Sequence, residues 1–207
     1  RTFSLRFGLI TKCVVLIGDH NSLHPTRPIG LFPLLHSPLL EYLVADLSRF
    51  GITDIIVCIS GGVQVDEVSL GRQLNAITPQ ETSVVLRRDD QNRGTAGVLK
   101  DLAELLADDL DFGLIHGSVF LNGMKWDELI TSHARKSAII TTVLFDSLRR
   151  EQRHEWISLN DDGEILEIHN PHSTSDRRSE DRRQSTRTAG VFVLSRRVFE
   201  FISDTEY

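Results

Sequence analysis

Apolar residues along this chain fall into short unbroken runs that alternate with stretches of helical spacing. Lys12 to Ile17 (KCVVLI) and Asp54 to Ile59 (DIIVCI) are continuous and rich in β-branched residues, the texture of strands covered on both faces. Between them Leu39, Leu40, Leu43, Val44, Leu47 and Phe50 recur three and four residues apart. Ser37 stands at the cap position, Pro38 at the first helical position and Gly51 at the stop, so a helix is predicted from Pro38 to Phe50. The segment from Gly18 to Ser37, with Pro25, Pro28 and Pro33, reads as irregular.

The alternation continues downstream. Val63 to Ile77 is a weaker helical pattern, Ser83 to Leu86 a strand, Thr95 to Ala107 a helix with Val98, Leu99, Leu102, Leu105 and Leu106 inward, and Phe112 to Ile115 a strand. Trp126, Leu129, Ile130 and His133 give one further amphipathic face before a strand at Ala138 to Phe145. Strand and helix in strict turn imply a parallel sheet covered by helices. After Phe145 the runs shorten. HEWISL and EILEIH flank Asn160-Asp161-Asp162-Gly163, a hairpin signal, so a small antiparallel extension is expected. His172 to Arg187 has almost no apolar residue and reads as a flexible charged insertion. Thr188 to Leu194 reads as a further buried strand and Arg196 to Ile202 as the start of a helix.

Composition narrows the classes. A chain of 207 residues, 40% apolar and 25% charged, can bury the core of one domain, or at most two small ones, and 1–207 is read as a single domain. Net charge −6 argues against a general grip on nucleic acid or on anionic membrane. No apolar stretch is long enough to span a bilayer, and no leader pattern precedes the first strand. Cys13 and Cys58 both lie inside apolar runs, where a thiol packs as a small hydrophobe, so a reducing, cytoplasmic setting is expected. With no initiator Met, the sequence is expected to be a processed or excised piece of a longer chain.

Several segments in order resemble the sugar-1-phosphate nucleotidyltransferases, the pyrophosphorylases that make nucleoside-diphosphate sugars. The text TRPIGLFPLLHSPLLEYLVADLSRFGITDIIVCIS is similar to the family's Pro-Lys-Pro-Leu element, its following helix and its second strand. Arg93-Gly94-Thr95-Ala96-Gly97-Val98-Leu99 resembles the L-GTAG-A-L element, and Leu114-Ile115-His116-Gly117-Ser118 the strand ending in Gly-Asp. His169-Asn170-Pro171 and Thr188-Ala189-Gly190-Val191-Phe192-Val193-Leu194 resemble the late Glu-Lys-Pro and Asn-Ala-Gly-Ile-Tyr-Val-Leu elements. The resemblance covers about Lys12 to Ile202. It implies a Rossmann-like three-layer α/β sandwich of the nucleotide-diphospho-sugar transferase type. It also implies a nucleotide site at Gly18, Asp19, Asn21, Ser22, Gly94, Thr95, Ala96, Gly97, His116 and Ser118, and a sugar-phosphate side at Asn170, Thr188 and Gly190.

The reaction of that family is attack by a sugar-1-phosphate oxygen on the α-phosphorus of a nucleoside triphosphate, releasing pyrophosphate. It needs charge neutralised on the phosphoryl oxygens, which the family achieves with a Gly-rich loop, an Arg, a Lys and Mg²⁺ held by two Asp. Here Gly18-Asp19-His20-Asn21-Ser22-Leu23-His24-Pro25 replaces the Gly-rich loop, and Asp19 adds a repelling charge. Ile29 stands where the Lys belongs, with Arg27 a neighbouring candidate cation. Ser118 replaces the first metal Asp, and Asn170 the Lys of Glu-Lys-Pro. The expectation is therefore a family scaffold that has lost transfer and serves as a nucleotide- or nucleotide-sugar-binding regulatory or assembly module. A divergent active transferase using Mg²⁺, and a pure protein-interaction scaffold, are the alternatives. Further domains, a protein partner and a homo-oligomer all remain compatible with it.

Other constellations point to less. The spacing of Asp19, His20 and His24 specifies no metal site, and Ser118 lacks a G-x-S-x-G elbow. Arg177, Arg178, Arg182, Arg183 and Arg187 are interleaved with Asp176, Glu180 and Asp181, as in a solvated face.

Overall fold

A computed structural model describes residues 10–18, 28–91, 93–147, 156–169 and 185–203. The chain forms two compact units, residues 1–141 with 190–207, and residues 142–189.

In the first unit β1 (Lys12–Ile17), β4 (Asp54–Ser60), β5 (Ser83–Asp89) and β6 (Asp111–His116) are parallel, and the sheet order is β5-β4-β1-β6-β10, where β10 is Ser185–Ser195. Val14 pairs with Ile56 on one side and Leu114 on the other, and residues 191–195 of β10 run antiparallel along β6, Val193 opposite Gly113. The unbroken apolar runs are explained by cover on both faces. One face holds Val14, Ile56, Cys58, Phe112 and Leu114, packed with Val98, Leu99, Leu102 and Leu106 of α3 (Gly94–Asp101) and the turns that follow it. On the other face a side chain at Gly113 would meet Cys13 Sγ at 2.9 Å and the Trp126 ring at 3.2 Å. Trp126 opens α4 (Trp126–Lys136) and stacks on Phe50, beyond the end of α1 (Leu39–Arg49), with ring centroids 5.9 Å apart. Helix, sheet and helix give the expected three-layer α/β arrangement.

Several local expectations are corrected. Ser37 does not cap α1. It belongs to a minute antiparallel pair, β2 (Pro33–Leu34) with β3 (Ser37–Pro38), and Pro38 precedes the helix with no side-chain cap. Tyr42 Oη donates to Leu34 O at 3.0 Å and holds that pair to α1. The segment predicted to be irregular also contains a 3₁₀ turn at Ile29–Leu31. The weaker helix α2 is Glu67–Ile77 and starts only where Asp66 accepts from the amides of Val68 and Ser69, each at 3.1 Å. α3 ends at Asp101, earlier than predicted, although Leu102 and Leu106 still face inward. Lys12 Nζ and Arg196 Nη1 donate to the carbonyls of Leu105 and Ala107, each at 2.6 Å, and terminate those turns. The final helix is 3₁₀, Arg196–Phe201, with Ser195 Oγ accepting from Arg197 N.

In the second unit β8 (Trp156–Leu159) and β9 (Ile165–His169) form the expected antiparallel hairpin, Ile157 opposite Ile168. Asn160 Oδ1 accepts from Glu164 N at 2.8 Å and Asp162 N at 3.0 Å, and Gly163 takes φ +73° to close the turn. Thr186 pairs with Ile157, and Thr142 of β7 (Ile140–Ser147) shares a 2.9 Å hydrogen bond with Thr188. The charged segment 172–184 lies outside the described residues; Ser185 to Arg187 open β10. No helix among the described residues is long and apolar enough to cross a membrane.

Candidate functional site

Four parallel strands deliver their carboxyl ends to one edge of the first unit, where α/β sheets form crevices. Such a crevice is present and has two adjoining lobes. The larger, about 270 Å³, is lined by Cys58, Ser60, Gly62, Asp89, Gly94 and Val98. The smaller, about 160 Å³, is lined by Pro28, Ile29, Gly30, His116, Gly117 and Ser118. Leu16, Ile17, Gly18 and Thr95 border both lobes.

The floor of the smaller lobe depends on two glycines. A Cβ at Gly30 would stand 2.6 Å from the Gly117 carbonyl oxygen and 2.9 Å from Ile17 Cδ1, and a Cβ at Gly117 would run into Ile17 Cδ1. Backbone therefore approaches backbone here, anchored by the 2.8 Å hydrogen bond from Gly117 N to Leu16 O. His116 is set by β10. Its ring lies 5.8 Å from the Phe192 ring, tilted 53°, and Gly190, at φ +74°, leaves room where a Cβ would come within 3.1 Å of the imidazole. Burial pushes the His116 pKa down, so the ring faces the lobe as a neutral donor and acceptor and not as a cation.

The larger lobe is pinned at its loops. Gly61 N donates to Asp89 O at 2.7 Å, and Arg88 reaches Glu67 through Nε at 2.5 Å and Val63 O through Nη1 at 3.0 Å. Asp89 Oδ1 accepts from Gln91 N at 3.2 Å, which orients its carboxylate. The Cys58 thiol is pushed up to about 12, first by burial and then by the Asp89 charge. Arg93, at the cap position of α3, is turned to Asp101 in a short ion pair that ties up its charge. Gly94 itself takes φ +74° where the chain enters α3.

Gly18, Gly94, Thr95, His116 and Ser118, expected at the nucleotide site, are thus brought together. Gly97, from the same stretch, faces away from both lobes, buried against Arg93 Cβ, and Ala96 lines neither lobe. Gly190 backs His116, and Thr188 lies in the second unit. Asp19, His20, Asn21, Ser22, His24, Arg27 and Asn170 lie outside the described residues. Sequence reasoning passed over Asp89, Ser60, Gly62 and Gly30, although the first two stand at strand ends, the position that the crevice rule singles out. A further cavity, about 380 Å³, lies elsewhere, between Leu31, Pro38 and the start of α2, and none of the expected residues lines it.

Asp89 is the one carboxylate among the described lining residues, Ser118 brings a hydroxyl, and no group of three or more His, Cys, Asp or Glu among the described residues is placed to hold a metal.

The family model for nucleotidyl transferases matches residues 23–207. Among solved structures the fold is similar to HddC from Yersinia pseudotuberculosis, with TM-score 0.68 and 18% identity over 95% of this chain and 81% of that one. HddC from the same organism complexed with GMP-PN is similar at TM-score 0.66 and 18% identity, covering 96% of this chain and 81% of that one. A putative glucose-1-phosphate thymidylyltransferase from Bacillus anthracis, in complex with a sucrose, is similar at TM-score 0.68 and 18% identity, covering 95% and 76%. Comparison with curated proteins returns no match.

Proposed function

The chain belongs to the nucleotidyl transferase family, and from that premise we propose that it binds a nucleotide or nucleotide sugar in the carboxyl-end crevice without transferring a nucleotidyl group, acting as a regulatory or assembly module. The observation that carries this reading is the lining of the smaller lobe. Where the family resemblance calls for a lysine and a metal-binding aspartate, Ile29 and Ser118 line one cavity together, and His116 beside them is held neutral. A triphosphate brought into line for attack concentrates negative charge on oxygens that none of the described residues lining this lobe neutralises. Removing single electrostatic stabilisers of this kind costs roughly 10²- to 10³-fold in rate, and two are replaced here. Binding is less demanding. The open crevice and its close backbone approach at Gly30 and Gly117 support retention of a ligand, and a similar fold was crystallised with GMP-PN. The two buried free thiols support a reducing compartment.

The test is pyrophosphate release across the four nucleoside triphosphates with several sugar-1-phosphates and Mg²⁺. The expected outcome is no turnover above background, together with a nucleotide-dependent rise in melting temperature, because a ligand that binds only the folded state stabilises it. Robust turnover overturns the reading in favour of a divergent transferase. No turnover and no stabilisation overturns it in favour of an interaction scaffold.

A further inference from the structure

Between the end of β6 and α4 the chain crosses a short loop. Leu121, 1% exposed, and Trp126, 3% exposed, anchor it, and Asn122-Gly123 forms its exposed tip. Met124 N donates to Leu121 O at 2.9 Å, and Gly123 takes φ +79° while Asn122 keeps a negative φ, the pattern of a type II β-turn. Among the described residues, the hydrogen bonds of this loop engage neither the Asn122 side-chain amide nor the Gly123 N–H. Nothing beyond its chain neighbours lies within 4 Å of where a Cβ on Gly123 would stand. The other asparagines with a described environment differ. Asn160 Oδ1 is taken by the amides of Asp162 and Glu164, and its Nδ2 donates to Glu164 Oε2 at 2.9 Å. Asn75 lies inside α2, where the following amide belongs to the helix ladder. Asp162-Gly163 is similar in sequence to Asn122-Gly123, but there Gly163 N donates to Asn160 O at 3.0 Å.

We propose that Asn122 is a site of spontaneous covalent modification, converting to isoaspartate and aspartate through a succinimide formed with the Gly123 amide, and that the isoaspartyl product unseats the turn leading into α4. The step needs no co-reactant besides water. Gly123 N gives up its proton and attacks Asn122 Cγ. The N–Cγ bond forms as the Cγ–Nδ2 bond breaks, and the side-chain nitrogen leaves as ammonia with a proton in place of the one released. Water then opens the ring at either carbonyl. One opening restores the main chain with an aspartate side chain, and the other routes the main chain through Cγ as isoaspartate. Glycine sets no side chain against the approaching Cγ, and exposure lets water take up and deliver the protons. The reacting N–H and amide have no protein hydrogen bond to break first, whereas Gly163 N and the Asn160 amide do. Either product replaces a neutral amide with a carboxylate. Isoaspartate also adds a methylene to the main chain of a turn closed by the Met124–Leu121 bond and flanked by buried anchors, so bond and anchors cannot all be kept. None of this depends on what the crevice binds.

The experiment holds the full chain at physiological temperature and pH and samples it for peptide mapping by mass spectrometry, with isoaspartate told from aspartate by electron-transfer fragmentation. Asn122 is expected to lose its amide first and to yield both products, while the amides of Asn75 and Asn160 persist. Asn122→Gln, whose longer side chain closes a ring far less readily, should abolish conversion at this position and leave the starting melting temperature unchanged, since the side chain is exposed. The aged wild-type chain should melt below freshly prepared Asn122→Asp, which carries the new charge without the extra methylene. If Asn122 persists in the folded chain while a denatured sample converts it, the fold protects the loop and the proposal is overturned. Conversion of Asn75 or Asn160 ahead of Asn122, or aspartate as the sole product at Asn122, overturns it equally. An aged chain that melts with Asn122→Asp overturns the unseating of the turn.

Discussion

Replacing Gly190 with alanine perturbs the crevice from behind and separates two costs that are usually confounded. The first is conformational. At φ +74° an L-residue incurs about 1–2 kcal/mol that glycine avoids. The second is steric, since the new methyl would sit 3.1 Å from three atoms of His116, tighter than ordinary contact, and overpacking of that kind adds roughly 1–2 kcal/mol. Their sum, about 3 kcal/mol, corresponds to a fall in melting temperature of roughly 6–12 °C for a chain of this size. Gly51 supplies the control, because it has φ +87° with nothing within 4 Å of its would-be Cβ. Gly51→Ala should show the first cost alone. Calorimetric melts of Gly190→Ala, Gly51→Ala, His116→Ala and the Gly190→Ala/His116→Ala pair form a cycle in which removing the ring returns the part of the steric share due to Cγ and Nδ1, and leaves the conformational cost and the contact with the retained Cβ. The reasoning is refuted if Gly190→Ala costs no more than Gly51→Ala, or if deleting the imidazole recovers nothing.

Two further outcomes follow from the described geometry. Burial holds the His116 pKa below its ordinary value near 6.5, so the unfolded chain binds the proton first on acidification, and stability present above 6.5 is lost as pH falls through the lowered value; denaturant midpoints between pH 7.5 and 5 should decline more steeply in wild type than in His116→Asn. Asp66→Ala, which removes the acceptor for the Val68 and Ser69 amides, should destabilise by about 1 kcal/mol, while Asp66→Asn stays within a few tenths, measured by denaturant melts.

Much of the sheet was legible because burial on both faces leaves a mark that needs no tertiary knowledge. Lys12–Ile17 was bounded to the residue, and the hairpin around Gly163 was marked by its own turn chemistry. What escaped was set by contacts between distant residues. Ser37 has the chemistry of a cap but is drawn into pairing with Leu34, and two-residue strands have no period to detect. α3 stops at Asp101, and the turns that follow it are held by Lys12 and Arg196, remote in sequence, at the carbonyls of Leu105 and Ala107. Asp89 sits in the polar run RRDDQNR, which reads as loop, and only the register of β5 on β4, Asp89 opposite Ser60, carries it to the mouth of the crevice. The closeness of Gly30 to Gly117 has no local signal at all.

The strand order has a consequence for the chain during its synthesis. β6 is made long before its outer neighbour in the sheet, since Phe112 to Ile115 are completed by residues 191–194 of β10. At ribosomal rates of about 5–20 residues per second, the edge of β6 stays open for roughly 4–16 s after it emerges. That edge is wholly apolar, with Phe112, Leu114 and Ile115 each at most 3% exposed once paired, and open apolar edges recruit other strands. A ribosome stalled between these segments would therefore present a sticky, half-built sheet, and such a nascent chain is a natural client for a holding chaperone until the last strand arrives.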